Sequence, residues 1–186
     1  MYYQIEIAGV KRSLPICKVS DDLYIAAFII LGDPELAEVC AKALLEKVDV
    51  NSYDYIMTAE AKSISLVHEM ARQIGATKYI VARKSVKTYM PNPIMVEDQS
   101  ITTAGKQKLY LGEDDVMLMR GKRILIVDDV ISTGGSLKAM EELVQLAGGT
   151  VVGRMAVLAE GDAQKRTDIQ YLEGLPLFHA DGSIIE

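Results

Sequence analysis

Several things are scarce in this chain of 186 residues. It has two cysteines, Cys17 and Cys40, at a spacing unlike that of a metal-binding pair, and Cys40 falls on the apolar stripe of a helical segment. A disulfide framework or a thiolate metal centre is therefore excluded as an organising feature, and reduced, buried thiols are expected. No apolar run is long enough to cross a bilayer. The longest, Leu23 to Leu31, falls well short of the roughly 20 residues required. Excess positive charge is missing too: 20 Lys and Arg against 26 Asp and Glu leave a net charge of −6, which argues against a nucleic-acid partner. The opening Met1-Tyr-Tyr-Gln-Ile-Glu lacks a basic region followed by an apolar core, so no secretory leader is expected and the expected location is the cytoplasm. Repeats and low-complexity tracts do not stand out. Neither Gly-x-x-x-x-Gly-Lys-Ser/Thr nor Gly-x-Gly-x-x-Gly after a strand occurs, which removes two well-defined phosphate motifs.

What is present reads as one domain, 1–186, with enough apolar residues (49%) for a single substantial core. The first thirty residues are β-rich: Tyr3, Ile5 and Ile7 alternate, Ala8-Gly9 turns, and Ser13–Val19 and Leu23–Ile30 follow. Asp33-Pro34 starts a helix, with Asp as N-cap and Pro in the first position. Leu36, Val39, Cys40, Ala43 and Leu44 then recur at helical spacing. Tyr53–Ala59 is predicted as a strand, Lys62–Ile74 as a helix and Lys78–Ala82 as a strand. Arg83–Gln107 is a polar stretch too long for an idle connection, and loops of that kind are usually lids or binding loops. Lys108–Leu111 reads as one arm of a hairpin whose other arm lies near Gln99 to Thr103. A strand at Ile124–Val127, a helix at Leu137–Ala147 and a strand at Thr150–Leu158 complete the pattern. Helices alternating with short apolar strands call for an α/β fold, a doubly wound, mainly parallel sheet.

One segment, Arg123-Ile-Leu-Ile-Val-Asp-Asp-Val-Ile-Ser-Thr-Gly-Gly-Ser136, is far more specific than the rest. Its buried strand ends in two adjacent carboxylates, and a Ser/Thr/Gly turn then opens a helix. Glycines let the backbone approach an anion, the free amides of a first helical turn point at it, and hydroxyls add donors. Ser132, Thr133, Gly134, Gly135 and Ser136 carry no cation, so the loop suits a single phosphate better than a triphosphate. Asp128 and Asp129 only accept hydrogen bonds when ionised, so they want hydroxyl donors or a metal. Diol acceptors beside a monophosphate cradle describe a ribose 5-phosphate site.

This segment resembles the phosphoribosyl-pyrophosphate (PRPP) signature of the type I phosphoribosyltransferases. The resemblance implies that the paired acids Asp128 and Asp129 hold the ribose 2- and 3-hydroxyls and steady Mg²⁺, in part through water. It also implies that 132–136 hold the 5-phosphate. Glu60, Ala61 and Lys62, after the strand at 53–59, align with the family's pyrophosphate loop, where a non-proline cis peptide often occurs; here that is Glu60-Ala61. Arg83, Lys84 and Lys87 resemble the Arg-Lys-x-x-Lys of adenine phosphoribosyltransferases and are expected to neutralise pyrophosphate. Lys62-Ser63 stands where many of those enzymes have Arg-Gly. No Glu-Tyr pair occurs between Ser85 and Leu111, so Glu97 or Asp98 is the candidate lid acid, with Glu97 taken as the catalytic one. The implied architecture adds a small hood, from about 1–30 and 159–186, and a flexible lid loop over about 85–107. The implied reaction is a Mg²⁺-dependent transfer of phosphoribose from PRPP to a nucleobase, adenine first, in nucleotide salvage by a homodimer. Xanthine, hypoxanthine or guanine, orotate and uracil remain open as acceptors, as does a regulator that senses PRPP without turning it over.

Overall fold

The computed structural model describes residues 1–98 and 107–185. The amino-terminal third opens with three strands, β1 (Tyr2–Ile7), β2 (Val10–Lys18) and β3 (Tyr24–Ala26). Helix α1 (Pro34–Leu45) follows, then β4 (Tyr55–Ala59), α2 (Ile64–Gln73) and β5 (Ile80–Ala82). Next come β6 (Ile94–Asp98), β7 (Gln107–Leu111), the short α3 (Glu113–Met119), β8 (Arg123–Ile131) and α4 (Gly135–Leu146). The chain closes with β9 (Thr150–Glu160), a 3-10 turn (Gly161–Lys165), β10 (Gln170–Leu175), β11 (Leu177–Phe178) and β12 (Ile184–Ile185).

Five strands form the central sheet, in the order β10-β9-β8-β4-β5, and every pairing is parallel. Both faces are covered, which is why β8 reads as an unbroken apolar run and not as an alternating one. Leu125 and Val127 pack with α1 and α2 on one side. Ile124 and Ile126 pack with α4, Met119 of α3 and the β6–β7 hairpin on the other. The expected doubly wound α/β architecture is thus present.

A second, antiparallel sheet of order β1-β2-β3-β11-β12 sits beyond the carboxyl edge of the first. It docks through Ile5, Ile7, Leu14 and Phe178 onto the same core as α1. Of the stretch 159–186 expected in the hood, Gln170–Leu175 instead joins the central sheet beside β9. An edge strand with one solvated side carries a weak apolar signal, and β10 has little but Leu172 and Leu175 to announce it.

Two further expectations need correction. The partner of Lys108–Leu111 is Ile94–Glu97, with Ile94 opposite Leu111 and Glu97 opposite Lys108. The alternative arm, Gln99–Thr103, lies outside the described residues. Cys17 is exposed, whereas Cys40 is fully buried.

Candidate functional site

Parallel strands deliver their carboxyl ends to one rim of the sheet, and ligands of open α/β folds gather there. Four strand ends of this chain meet at that rim. β8 runs on through Asp128 and Asp129 to Ile131, leaving Asp129 buried and Asp128 half-buried. β4 stops at Ala59 and turns through Glu60–Ser63 into α2, and the Glu60–Ala61 peptide is cis, as the resemblance implied. β5 hands over to Arg83 and Lys84, and β9 ends on Glu160.

Ser63 ties two of these ends together. It is the N-cap of α2, yet its hydroxyl does not cap the helix. The hydroxyl reaches β8 instead, 2.7 Å from Asp128 Oδ1 and 3.1 Å from Asp129 Oδ1, and accepts from the Asp129 amide at 2.8 Å. With a single proton it donates chiefly to Asp128, the nearer oxygen. Lys62 Nζ lies 2.5 Å from Asp129 Oδ2, an ion pair that is out of hydrogen-bonding alignment. The same ammonium touches the Phe28 carbonyl at 3.4 Å, so Lys62 links the central sheet to the segment after β3. Burial, and then the neighbouring Asp129 charge, push the Asp128 carboxyl well above the usual carboxylate range. A carboxylate pair in that condition favours a cation or hydroxyl donors as company.

The Ser132–Ser136 loop follows directly. Gly134, the N-cap of α4, adopts φ +84°, a left-handed conformation that suits glycine. Residues 130–137 and Asp128 line a small cavity of about 80 Å³ at the helix start. It adjoins a larger one of about 450 Å³. That cavity is walled on the central sheet by Glu60, Lys62, Ser63, Asp128, Asp129, Glu160 and the apolar Leu175, and on the other side by Ile25–Ile29. Polar groups thus face an apolar wall across one space, the usual make-up of a small-molecule site.

Residues 29–181 match the phosphoribosyl transferase domain. The chain belongs to that family. The transferase is 30% identical over 158 residues to a hypoxanthine/guanine phosphoribosyltransferase from Methanotorris igneus, spanning 83% of this chain and 82% of that one. It is 36% identical over 126 residues to an adenine phosphoribosyltransferase from Bifidobacterium longum, spanning 67% of this chain and 62% of the relative's length. Its fold superposes on an adenine phosphoribosyltransferase structure from Rhodothermus marinus with a TM-score of 0.65, 22% identity and 94% of both chains covered.

The residues picked out in the transferase's sequence do not all converge. Asp128, Asp129, Ser132, Ser136, Glu60, Ala61, Lys62 and Lys84 line the large cavity, and Thr133, Gly134 and Gly135 line the small one. Arg83 lines neither: its guanidinium lies 3.2 Å from Glu60 and donates to the Tyr89 hydroxyl at 2.7 Å. Glu60 also accepts from the Lys84 amide at 2.8 Å, and that bond, with Arg83, holds its carboxyl below the usual range. Lys87 donates to Ser85 and forms no part of either wall. Glu97 is exposed on the hairpin opposite Lys108 and lines neither cavity. Most of the expected lid, 99–106, lies outside the described residues.

Two side chains of the site escaped the sequence reading. Ser63 stood there only as a departure from Arg-Gly, and a serine gives no hint of a contact 65 residues away. Glu160 is buried at the end of β9, is hydrogen-bonded to the Ser132 hydroxyl, and has its carboxyl raised by that burial. Its signal was available: Val157-Leu158-Ala159-Glu160 is an apolar strand ending in an acid, the same pattern as Val127-Asp128.

Proposed function

We propose that this transferase moves the phosphoribosyl group of PRPP to a purine, adenine in the first place, releasing pyrophosphate and a nucleoside 5-monophosphate. The observation that carries the reading is the pair of adjoining cavities. A carboxylate pair, a cation-free phosphate loop and Lys62 open onto one space that has an apolar wall for a base. In this reading Asp128 and Asp129 accept hydrogen bonds from the ribose hydroxyls, and the amides and hydroxyls of 132–136 hold the 5-phosphate. Lys62 and Lys84 face the leaving pyrophosphate, with Glu60 and Arg83 keeping that loop in shape. The base stacks between the 25–29 segment and Leu175.

The donors fit a hard cation. Two carboxylates lie side by side, and among the described residues no cluster of three metal-ligating side chains offers an alternative cage. Asp128 and Asp129 would hold Mg²⁺ in part through water, beside the substrate's own phosphate oxygens. When bound, the ion offsets charge on the pyrophosphate. The protein's part is positioning, electrostatics and exclusion of water, which would otherwise capture the activated sugar.

Relatives named for adenine and for hypoxanthine/guanine match comparably well, so the acceptor is the finer point of the proposal. Adenine is favoured by Arg83-Lys84-x-x-Lys87 and by the 36% relative. The test is pyrophosphate release from PRPP and Mg²⁺ with each nucleobase in turn. Release with adenine alone supports the assignment, and release with hypoxanthine or guanine alone moves it to that class. No release with any base, alongside measurable PRPP binding, overturns the catalytic reading in favour of a PRPP sensor.

A further inference from the structure

The phosphate loop contains no cation, and the fold brings one to it from elsewhere. After β9 ends at Glu160, the 3-10 turn Gly161–Lys165 folds back, anchored by the buried Ala163, and places Arg166 against the start of α4. A Cβ built on Gly134 would lie 2.7 Å from Arg166 Nη1. The guanidinium therefore occupies the space that any side chain at the centre of the loop would need. Its Nε and Nη2 donate to the Asp168 carboxylate at 2.9 and 2.7 Å. That two-bond grip fixes the guanidinium plane and leaves Nη1 on the loop side, outside the pair. With side chains 32% and 50% exposed, the Arg166–Asp168 pair contributes little to stability on its own. A cation held rigid beside an anion cradle is organised in advance for binding.

We infer that Arg166, oriented by Asp168, is a further phosphate-binding residue of the transferase, supplying the positive charge that Ser132–Ser136 lack to the 5-phosphate of PRPP and of the nucleotide product. The inference rests on the proposed reading of this loop as the 5-phosphate site. It places Arg166 far from the bond that breaks at C1, so its effect belongs to binding and not to turnover.

The test uses wild type, Arg166→Gln, Arg166→Lys and Asp168→Asn, titrated with ribose 5-phosphate and separately with pyrophosphate, alongside KM for PRPP and kcat. Arg166→Gln is expected to weaken ribose 5-phosphate by about tenfold, the scale of a hydrogen bond to a charged group. KM for PRPP should rise in parallel while kcat and pyrophosphate affinity hold. Arg166→Lys should recover part of the loss, and Asp168→Asn should show a smaller one. Unchanged ribose 5-phosphate affinity in Arg166→Gln overturns the inference. So does an equal loss for both ligands, which would mark Arg166 as a structural clamp. If wild type itself binds no ribose 5-phosphate, the reading of the loop fails, and Arg166 with it.

Discussion

At the scale of single residues, Ser63 carries more than its size suggests. One buried hydroxyl satisfies the Asp129 amide and steadies two carboxylates that would otherwise repel each other. Removing it takes the hydroxyl donor from Asp129 Oδ1 and, among the described residues, leaves the Asp129 amide and Asp128 Oδ1 with just each other at 2.9 Å, a cost of about 1–3 kcal/mol. Ser63→Ala is therefore expected to lower the melting temperature and to reduce kcat by at least about tenfold, each factor of ten being about 1.4 kcal/mol of lost transition-state stabilisation. Thermal unfolding and steady-state kinetics on the same preparation check this. A variant with full turnover would remove Ser63 from the site. Nothing in the sequence announces such a residue, because its partners come from another strand end. Asp128, Asp129 and the 132–136 loop are legible because their chemistry is local: two acids, a turn and a helix start within a few residues.

Among elements, one contact between the second sheet and the first layer of helices is short and charged, beside the apolar packing they share. Arg12 on β2 donates from Nε to Asp33 Oδ2 at 2.7 Å and from Nη2 to Asp33 Oδ1 at 2.9 Å, and it also reaches Glu35. Asp33 meanwhile caps α1 by accepting from the Leu36 amide at 3.1 Å. The Arg12 guanidinium, with that amide, holds the Asp33 carboxyl below its ordinary 3.8. A carboxylate whose folded value is depressed contributes stability above its unfolded value and loses it as pH falls through the folded one. Asp33→Asn keeps the cap acceptor and discards the charge. The melting temperature of wild type should thus exceed that of the variant near neutrality, with the gap closing below the unperturbed 3.8. A gap constant from neutral to strongly acid pH would show that the charge is irrelevant. The helix at Asp33-Pro34 is legible because cap and proline are adjacent in sequence. The Ile94–Asp98 strand is not, since it follows Pro91-Asn92-Pro93 in a polar stretch and takes its place by packing on α4. Helix α3, only seven residues with three acids in its first turn, likewise lacks a periodic signature.

For the whole molecule, the large cavity is a seam: the central sheet supplies its polar wall, and the second sheet with its following segment supplies the apolar one. Lys62 bridges that seam at the site, touching Asp129 on one side and the Phe28 carbonyl on the other. A ligand filling the space would hold both walls at once, and it can bind only the folded chain. Binding should therefore stabilise by mass action, by about 2.7 kcal/mol at a ligand concentration one hundred times Kd. For a domain of this length each kcal/mol moves the midpoint by about 2–4 °C, so PRPP with Mg²⁺ is expected to raise the melting temperature by roughly 5–11 °C at that excess. The shift should grow with the logarithm of ligand concentration and shrink in Asp129→Asn, which keeps the shape of the wall but removes the charge proposed to meet the diol. A midpoint that stays still at PRPP concentrations saturating turnover would place the substrate somewhere other than this seam. An equal shift in Asp129→Asn would keep the seam and remove Asp129 from it.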